Sequence, residues 1–208
     1  MPAVPLRNRV TPFGEIIATE ARGLLFGNRG VLHDDDGRLV RTWQVRRWIA
    51  CRLEFKGRRR ALLRPRHYTE LFFLDEATAL AAGHRPCAEC RREDFVRFSQ
   101  GWAKTHPGEP VRVDPMDRVL HAERVGAGGA KRLHEARPED LPDGSMVGED
   151  DQAWMVLGGE LLAWSPFGYG SRRRLPSGAT LRTLTPPSMI EVIRAGYAPG
   201  LHPTALGG

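Results

Sequence analysis

The sequence has little cysteine and no long apolar run. Nowhere do about eighteen apolar residues follow one another, so no segment reads as a membrane-spanning helix. The opening residues, Met1-Pro2-Ala3-Val4-Pro5-Leu6-Arg7, lack the apolar stretch of a secretory signal, and the expected location is the cytoplasm. A glycine-rich phosphate loop, a dinucleotide fingerprint and a nucleophile elbow are all missing, which removes the usual signatures of nucleotide-dependent enzymes and hydrolases. No internal repeat is visible. Three cysteines is an odd count, and in a reducing compartment they point to metal or redox chemistry rather than a disulfide framework.

Negative charge is scarce in one region. The 208 residues carry a net charge of +6, a mild excess overall but an uneven one. Arg41, Arg46, Arg47, Arg52, Lys56, Arg58, Arg59, Arg60, Arg64 and Arg66 are opposed only by Glu54. A bare solvated face explains such a density less well than a polyanionic partner, so DNA or RNA is expected. Trp43-Gln44-Val45-Arg46-Arg47-Trp48 interleaves indoles, which stack on unpaired bases, with guanidiniums, which hold phosphates. A second basic-aromatic segment runs from Trp164 and ends on Arg172, Arg173 and Arg174, and reads as a long glycine-containing loop. The expected nucleic-acid surface is therefore Trp43, Arg46, Arg47, Trp48, Arg58, Arg59, Arg60, Arg64, Arg66, Arg172, Arg173 and Arg174.

Local patterns predict an α+β protein: a small zinc-binding module of antiparallel strands and two helices, then a β-rich C-terminal part. Asp36-Gly37 marks a hairpin, with Asp34-Asp35-Asp36 read as a plain turn, because no glutamate follows at calcium-loop spacing. Over residues 48–55, Ile49, Cys51, Leu53 and Phe55 alternate with Ala50, Arg52 and Glu54, the pattern of a half-buried strand. Lys56-Gly57 turns the chain back, and a further strand covers 68–74. Asp75 fits an N-cap for an alanine-rich helix over 76–82, closed by Gly83. Phe95, Phe98 and Trp102 are spaced for a longer helix after Cys87, with Pro107 beyond its end. Strands are expected at 154–157, 160–164 and 180–184, the first two joined by Gly158-Gly159, and a short helix over 185–195. The predicted organisation is an N-terminal hairpin region (1–43), the zinc module (44–105), a loop-rich connector (106–145) and the β-rich region with its short helix (146–208).

The chemistry centres on His84-Arg85-Pro86-Cys87-Ala88-Glu89-Cys90-Arg91. A Cys-x-x-Cys at a loop-to-helix junction supplies two of the four tetrahedral ligands zinc prefers, and the helix terminus favours the thiolate form. A redox reading of the same spacing requires a βαβ unit, which this neighbourhood lacks. Cys51 and His67 are the expected third and fourth ligands, although Cys51 also fits an inert core thiol. His84, His33 and His121 are in reserve.

Phe72-Phe73, the alanine-rich segment from Ala77 to Gly83, Arg85-Pro86-Cys87 and Cys90-Arg91 together resemble the second half of the Ada-type zinc-binding DNA-repair module. The likeness covers residues 72–91, about a tenth of the chain, with element order and spacing agreeing. It implies zinc, a basic DNA-binding surface and a role in DNA repair or the processing of modified DNA. The chain departs from that family upstream: the family places two cysteines close together, whereas here Cys51-Arg52 is followed by Leu53-Glu54-Phe55. The family's methyl-accepting thiolate thus has no secure counterpart, and binding is expected in place of methyl transfer.

Two other classes compete. His121-Ala122-Glu123 and Pro86-Cys87-Ala88-Glu89-Cys90 spell the parts of a zinc nucleobase deaminase, but in reversed order. This makes His121 and Glu123 the candidate catalytic pair of an enzyme acting on nucleic acid. The remaining alternative is a structural zinc module for protein interaction.

Overall fold

A computed structural model describes residues 5–57 and 62–207. Short apolar runs cut by turn residues give short strands, and among the described residues twelve of these assemble into two six-stranded, mostly antiparallel sheets beside four helices. The first sheet contains β1 (Arg7–Val10), β2 (Ile16–Ala18), β3 (Leu25–Asn28), β4 (Ile49–Arg52), β5 (Leu71–Phe73) and β6 (Arg85–Pro86), in the order β2-β1-β5-β3-β4-β6. Its β1–β5 and β4–β6 pairs are parallel. The second sheet contains β7 (His134–Ala136), β8 (Met146–Glu149), β9 (Gln152–Leu157), β10 (Glu160–Ser165), β11 (Gly168–Arg174) and β12 (Leu181–Thr183). It is antiparallel throughout, in the order β11-β10-β9-β8-β12-β7.

Helix α1 (Glu76–Ala81) joins the two sheets. Asp75 caps it by accepting from the Thr78 amide at 2.9 Å, and Gly83 ends it at φ +89°. All six of its residues are buried. Alanine leaves room for close approach from several sides. Ala77 and Ala81 meet Met146, Met155, Leu162 and Tyr169 of the second sheet. Ala79 joins Val10, Ala50, Leu71 and Phe73 of the first, with Leu32 from the loop after β3. Leu80 enters a third cluster with Phe98 and Trp102 of α2 (Arg92–Thr105), Met116 and Leu120 of α3 (Val113–Arg124), and Met189, Val192 and Ile193 of α4 (Pro187–Arg194).

Polar contacts reinforce this joint. The Asp75 carboxylate also accepts from the Tyr169 hydroxyl at 2.9 Å and the His202 amide at 3.0 Å. Glu76 accepts from the Tyr197 hydroxyl at 2.5 Å and the Gly200 amide at 2.9 Å. Contacts of the 44–105 segment with the C-terminal region thus run through the interior of the molecule.

Three local expectations are corrected. β4 stops at Arg52, and Leu53 is 46% exposed. Both faces of β4 are covered: Ala50 faces the α1 cluster and Cys51 the opposite one. The 106–145 connector contains α3, whose first turn holds Asp114, favourable to the helix dipole, and Pro115, tolerated there. The basic segment ending at Arg174 is no loop but the edge strand β11, paired to β10 through Leu161↔Arg173 and Leu162↔Arg172. The Gly158-Gly159 hairpin is present, with both φ values positive (+59° and +76°) as a type I′ turn needs. Of the return strand expected over 58–63, residues 58–61 lie outside the described residues, and Leu62-Leu63 form a turn. Among the described residues, no helix is long and apolar enough to cross a membrane.

Candidate metal centre

The parallel β4–β6 pairing sets the site. It places Ala50 opposite Pro86, and the Cys87 amide donates to the Ala50 carbonyl at 2.9 Å. Cys51 and Cys87, one residue further along each strand, are thereby brought together. The turn between β6 and α2 then carries Cys90 back toward both. The sulfurs of Cys51, Cys87 and Cys90 all lie within 4.8 Å of one another. Sulfurs around one tetrahedral zinc at ordinary Zn–S lengths are about 3.8 Å apart, so the three thiols fit a metal after small adjustment. All three residues are buried, in a cluster with Phe26 and the partly buried Ile49, Phe55, Tyr68 and Phe72.

The surroundings favour thiolate. Backbone amides of Glu89 and Cys90 donate to the Cys87 sulfur, and that of Arg52 donates to Cys90. The Cys87 thiol is pulled down to about 2, chiefly by hydrogen bonds from Cys51 and Cys90. Cys51 is pushed up, first by its bond to Cys87. One negative charge is thus shared over three sulfurs, and a cation would let the others ionise.

The other expected ligands lie elsewhere. His67 is exposed, its Nδ1 donating to the Pro65 carbonyl at 2.9 Å, and it is not part of the three-thiol group. His33 sits between the Thr69 hydroxyl (2.6 Å) and the Arg64 carbonyl (3.2 Å). His84 is buried, its ring 5.2 Å from that of Trp48 and 4.6 Å from that of Phe73. His121 packs edge-on against Trp43, ring centroids 4.5 Å apart.

The acid/base pair does not form. Glu123 spends its carboxylate on Ser188, accepting from the amide at 3.0 Å and the hydroxyl at 2.6 Å, and so caps the start of α4. His121, two residues away on α3, belongs to the Trp43 contact instead.

The predicted nucleic-acid residues divide into four sets. Arg46, Arg47, Arg64 and Arg66 are exposed. In β11, Arg172 pairs with Glu160 at 3.4 Å, Arg173 pairs with Glu149 and covers the Trp154 ring, and Arg174 is exposed. Arg58, Arg59 and Arg60 lie outside the described residues. Trp48 is buried and donates from its indole N–H to the Val45 carbonyl at 2.8 Å, whereas Trp43 is half-buried.

Sequence reading missed one feature altogether: the cations Arg29, Arg124 and Lys131, which line a cavity of about 390 Å³ with Trp43 and Trp48. They come from a turn, the end of α3 and a glycine-rich loop, and no local motif connects them. Fold and site together define an α+β protein with a buried three-thiol centre suited to a metal ion. No protein family, curated protein or solved structure matches the chain.

Proposed function

We propose that the protein holds a zinc ion on Cys51, Cys87 and Cys90 and binds nucleic acid through the arginine-rich surface of the same half, in the manner of an incomplete Ada-type module. The convergence of three buried sulfurs carries the metal part of this reading. Three thiolates and amide donors favour zinc over a hard cation such as magnesium or calcium. Bound zinc would cross-link β4 to the β6–α2 turn and leave its fourth position to a group outside these thiols. The resemblance over residues 72–91 supports the module, because β5, the capped alanine helix, Gly83 and the two cysteines occur in that order. The nucleic-acid part is supported by the exposed Arg46, Arg47, Arg64 and Arg66.

Elemental analysis tests the metal. About one zinc per freshly purified chain is expected, falling nearly to zero in Cys87→Ala; less than about half an equivalent in the wild type would sink the reading. Titration with an oligonucleotide across a salt series tests the partner. A steep fall in affinity with salt is expected from phosphate contacts. Zinc retained without nucleic-acid affinity would leave a structural zinc protein instead.

A further inference from the structure

Away from the thiols, positive charge is buried without a carboxylate to answer it. Arg29 and Arg124 are each only 2% exposed, and Lys131 is half-buried beside them. Their hydrogen bonds go to backbone carbonyls. Arg29 donates to Gly14 at 2.8 Å, Arg124 to Gly83 at 2.6 Å and to Arg46, and Lys131 to Ala81. The Nε atoms of Arg29 and Arg124 are buried with no hydrogen-bond partner among the described residues. Both guanidiniums lie over the Trp48 ring, 4.5 Å and 4.2 Å from its centroid.

The chain supplies carboxylates where it buries other arginines. Arg85 meets Asp117 in a two-pronged pair, both contacts 2.8 Å, and Arg91 meets Glu76 at 2.8 Å. Asp117 is the acid that most favours charge on Arg124, yet both its oxygens are taken by Arg85. Among the described residues, no acid forms an ion pair with Arg29, Arg124 or Lys131, and the one carboxylate lining the cavity, Glu15, is exposed. Capping the C-terminal carbonyls of α1 accounts for part of the arrangement, but a helix end offers only about half a negative charge against three cations. Buried charge left unpaired is costly, and the usual compensation is a counter-ion. The cost shows in their proton affinities: desolvation, then repulsion from Arg29 and Arg124, lowers Lys131 to about 7, and desolvation lowers Arg29 to about 9.

We infer that this cavity binds a phosphate monoester, its phosphate held by Arg29, Arg124 and Lys131 and its organic part lying against Phe13, Trp43 and Leu133. A phosphate monoester carries nearly two negative charges at neutral pH, which suits three cations with one acid nearby. The volume, about 390 Å³, lies within the range of small-ligand pockets, about 300–1,000 Å³. The ester can come from a free mononucleotide or from the phosphorylated end of a nucleic-acid strand. This inference does not depend on the thiol centre or on the exposed arginines.

Calorimetric titration of the full chain with a 5′-mononucleotide, the matching nucleoside, and an oligonucleotide with or without a 5′-phosphate tests it. Saturable binding of either phosphorylated probe is expected, and the tighter one identifies the source. The unphosphorylated counterpart should bind at least tenfold more weakly, and Lys131→Gln should weaken phosphate-dependent binding at least tenfold. Should that variant fail to fold, thermal melting of the wild type in phosphate against chloride at equal ionic strength serves instead, with a higher Tm in phosphate expected. Equal binding of phosphorylated and unphosphorylated probes, or no saturable binding and no phosphate-specific Tm shift, overturns the inference. Loss of salt-dependent affinity for unphosphorylated oligonucleotides would count only against the nucleic-acid surface.

Discussion

The two halves of the molecule treat several of their arginines differently. On the C-terminal side, Arg172 and Arg173 have Glu160 and Glu149, and Arg194 has Glu191 at 2.8 Å and Asp140 at 3.8 Å. On the N-terminal side, Arg46, Arg47, Arg64 and Arg66 stand exposed, while Arg29 and Arg124 are buried against carbonyls and an indole. Three C-terminal arginines thus have carboxylate partners, although Arg174 stays exposed, whereas those N-terminal ones have none among the described residues. A paired arginine has little electrostatic reason to recruit an anion, so the proposed binding is assigned to the N-terminal half.

The sharpest way to break this contrast is to unpair an arginine that the chain did pair. Arg85→Met would leave Asp117 buried without its cation, and a loss of about 3–5 kcal/mol in denaturant unfolding is expected. A loss below about 1 kcal/mol would show that this half tolerates unpaired buried charge and would weaken the argument from Arg29 and Arg124.

A smaller effect should appear with pH. Folded Lys131 releases its proton near 7, whereas an unfolded lysine keeps its proton to about 10.4. Between those values the unfolded chain holds more protons, so stability should rise from pH 7 to 9, by at most about 1.4 kcal/mol per unit. Melting curves of wild type and Lys131→Met would check this, the variant showing the shallower slope.

The smallest effects should separate the two surfaces. Arg173→Ala should change stability by less than about 1 kcal/mol, as exposed ion pairs do, and leave oligonucleotide affinity unchanged. Arg47→Ala should also be nearly neutral for stability, yet reduce the salt slope of oligonucleotide binding by about one. Equal slopes in the two variants would erase the distinction.

What the sequence disclosed followed from locality. α1 was legible because cap, alanines and closing glycine are contiguous, and the 158–159 hairpin because both glycines sit in the turn itself. α3 escaped because its N-cap position holds Arg112, which makes no capping bond, and polar residues interrupt its apolar face. β11 escaped because Gly168, Gly170 and three arginines resemble a loop, although an edge strand needs only one covered face. Cys51 could be proposed as a thiol partner because thiols are rare. His67 was proposed from chain order alone, and nothing in its sequence reveals that its backbone carries it to the surface. The cationic cavity was illegible because Arg29, Arg124 and Lys131 lie far apart along the chain and meet only after folding.

The burial of α1 also has a kinetic consequence. A helix of six residues is not stable alone in water, since nucleation costs more than so few bonds return. Here every residue of it is covered by elements drawn from both ends of the chain. Its amides should therefore exchange with solvent only when the whole molecule opens, which would make the shortest helix report the global unfolding free energy.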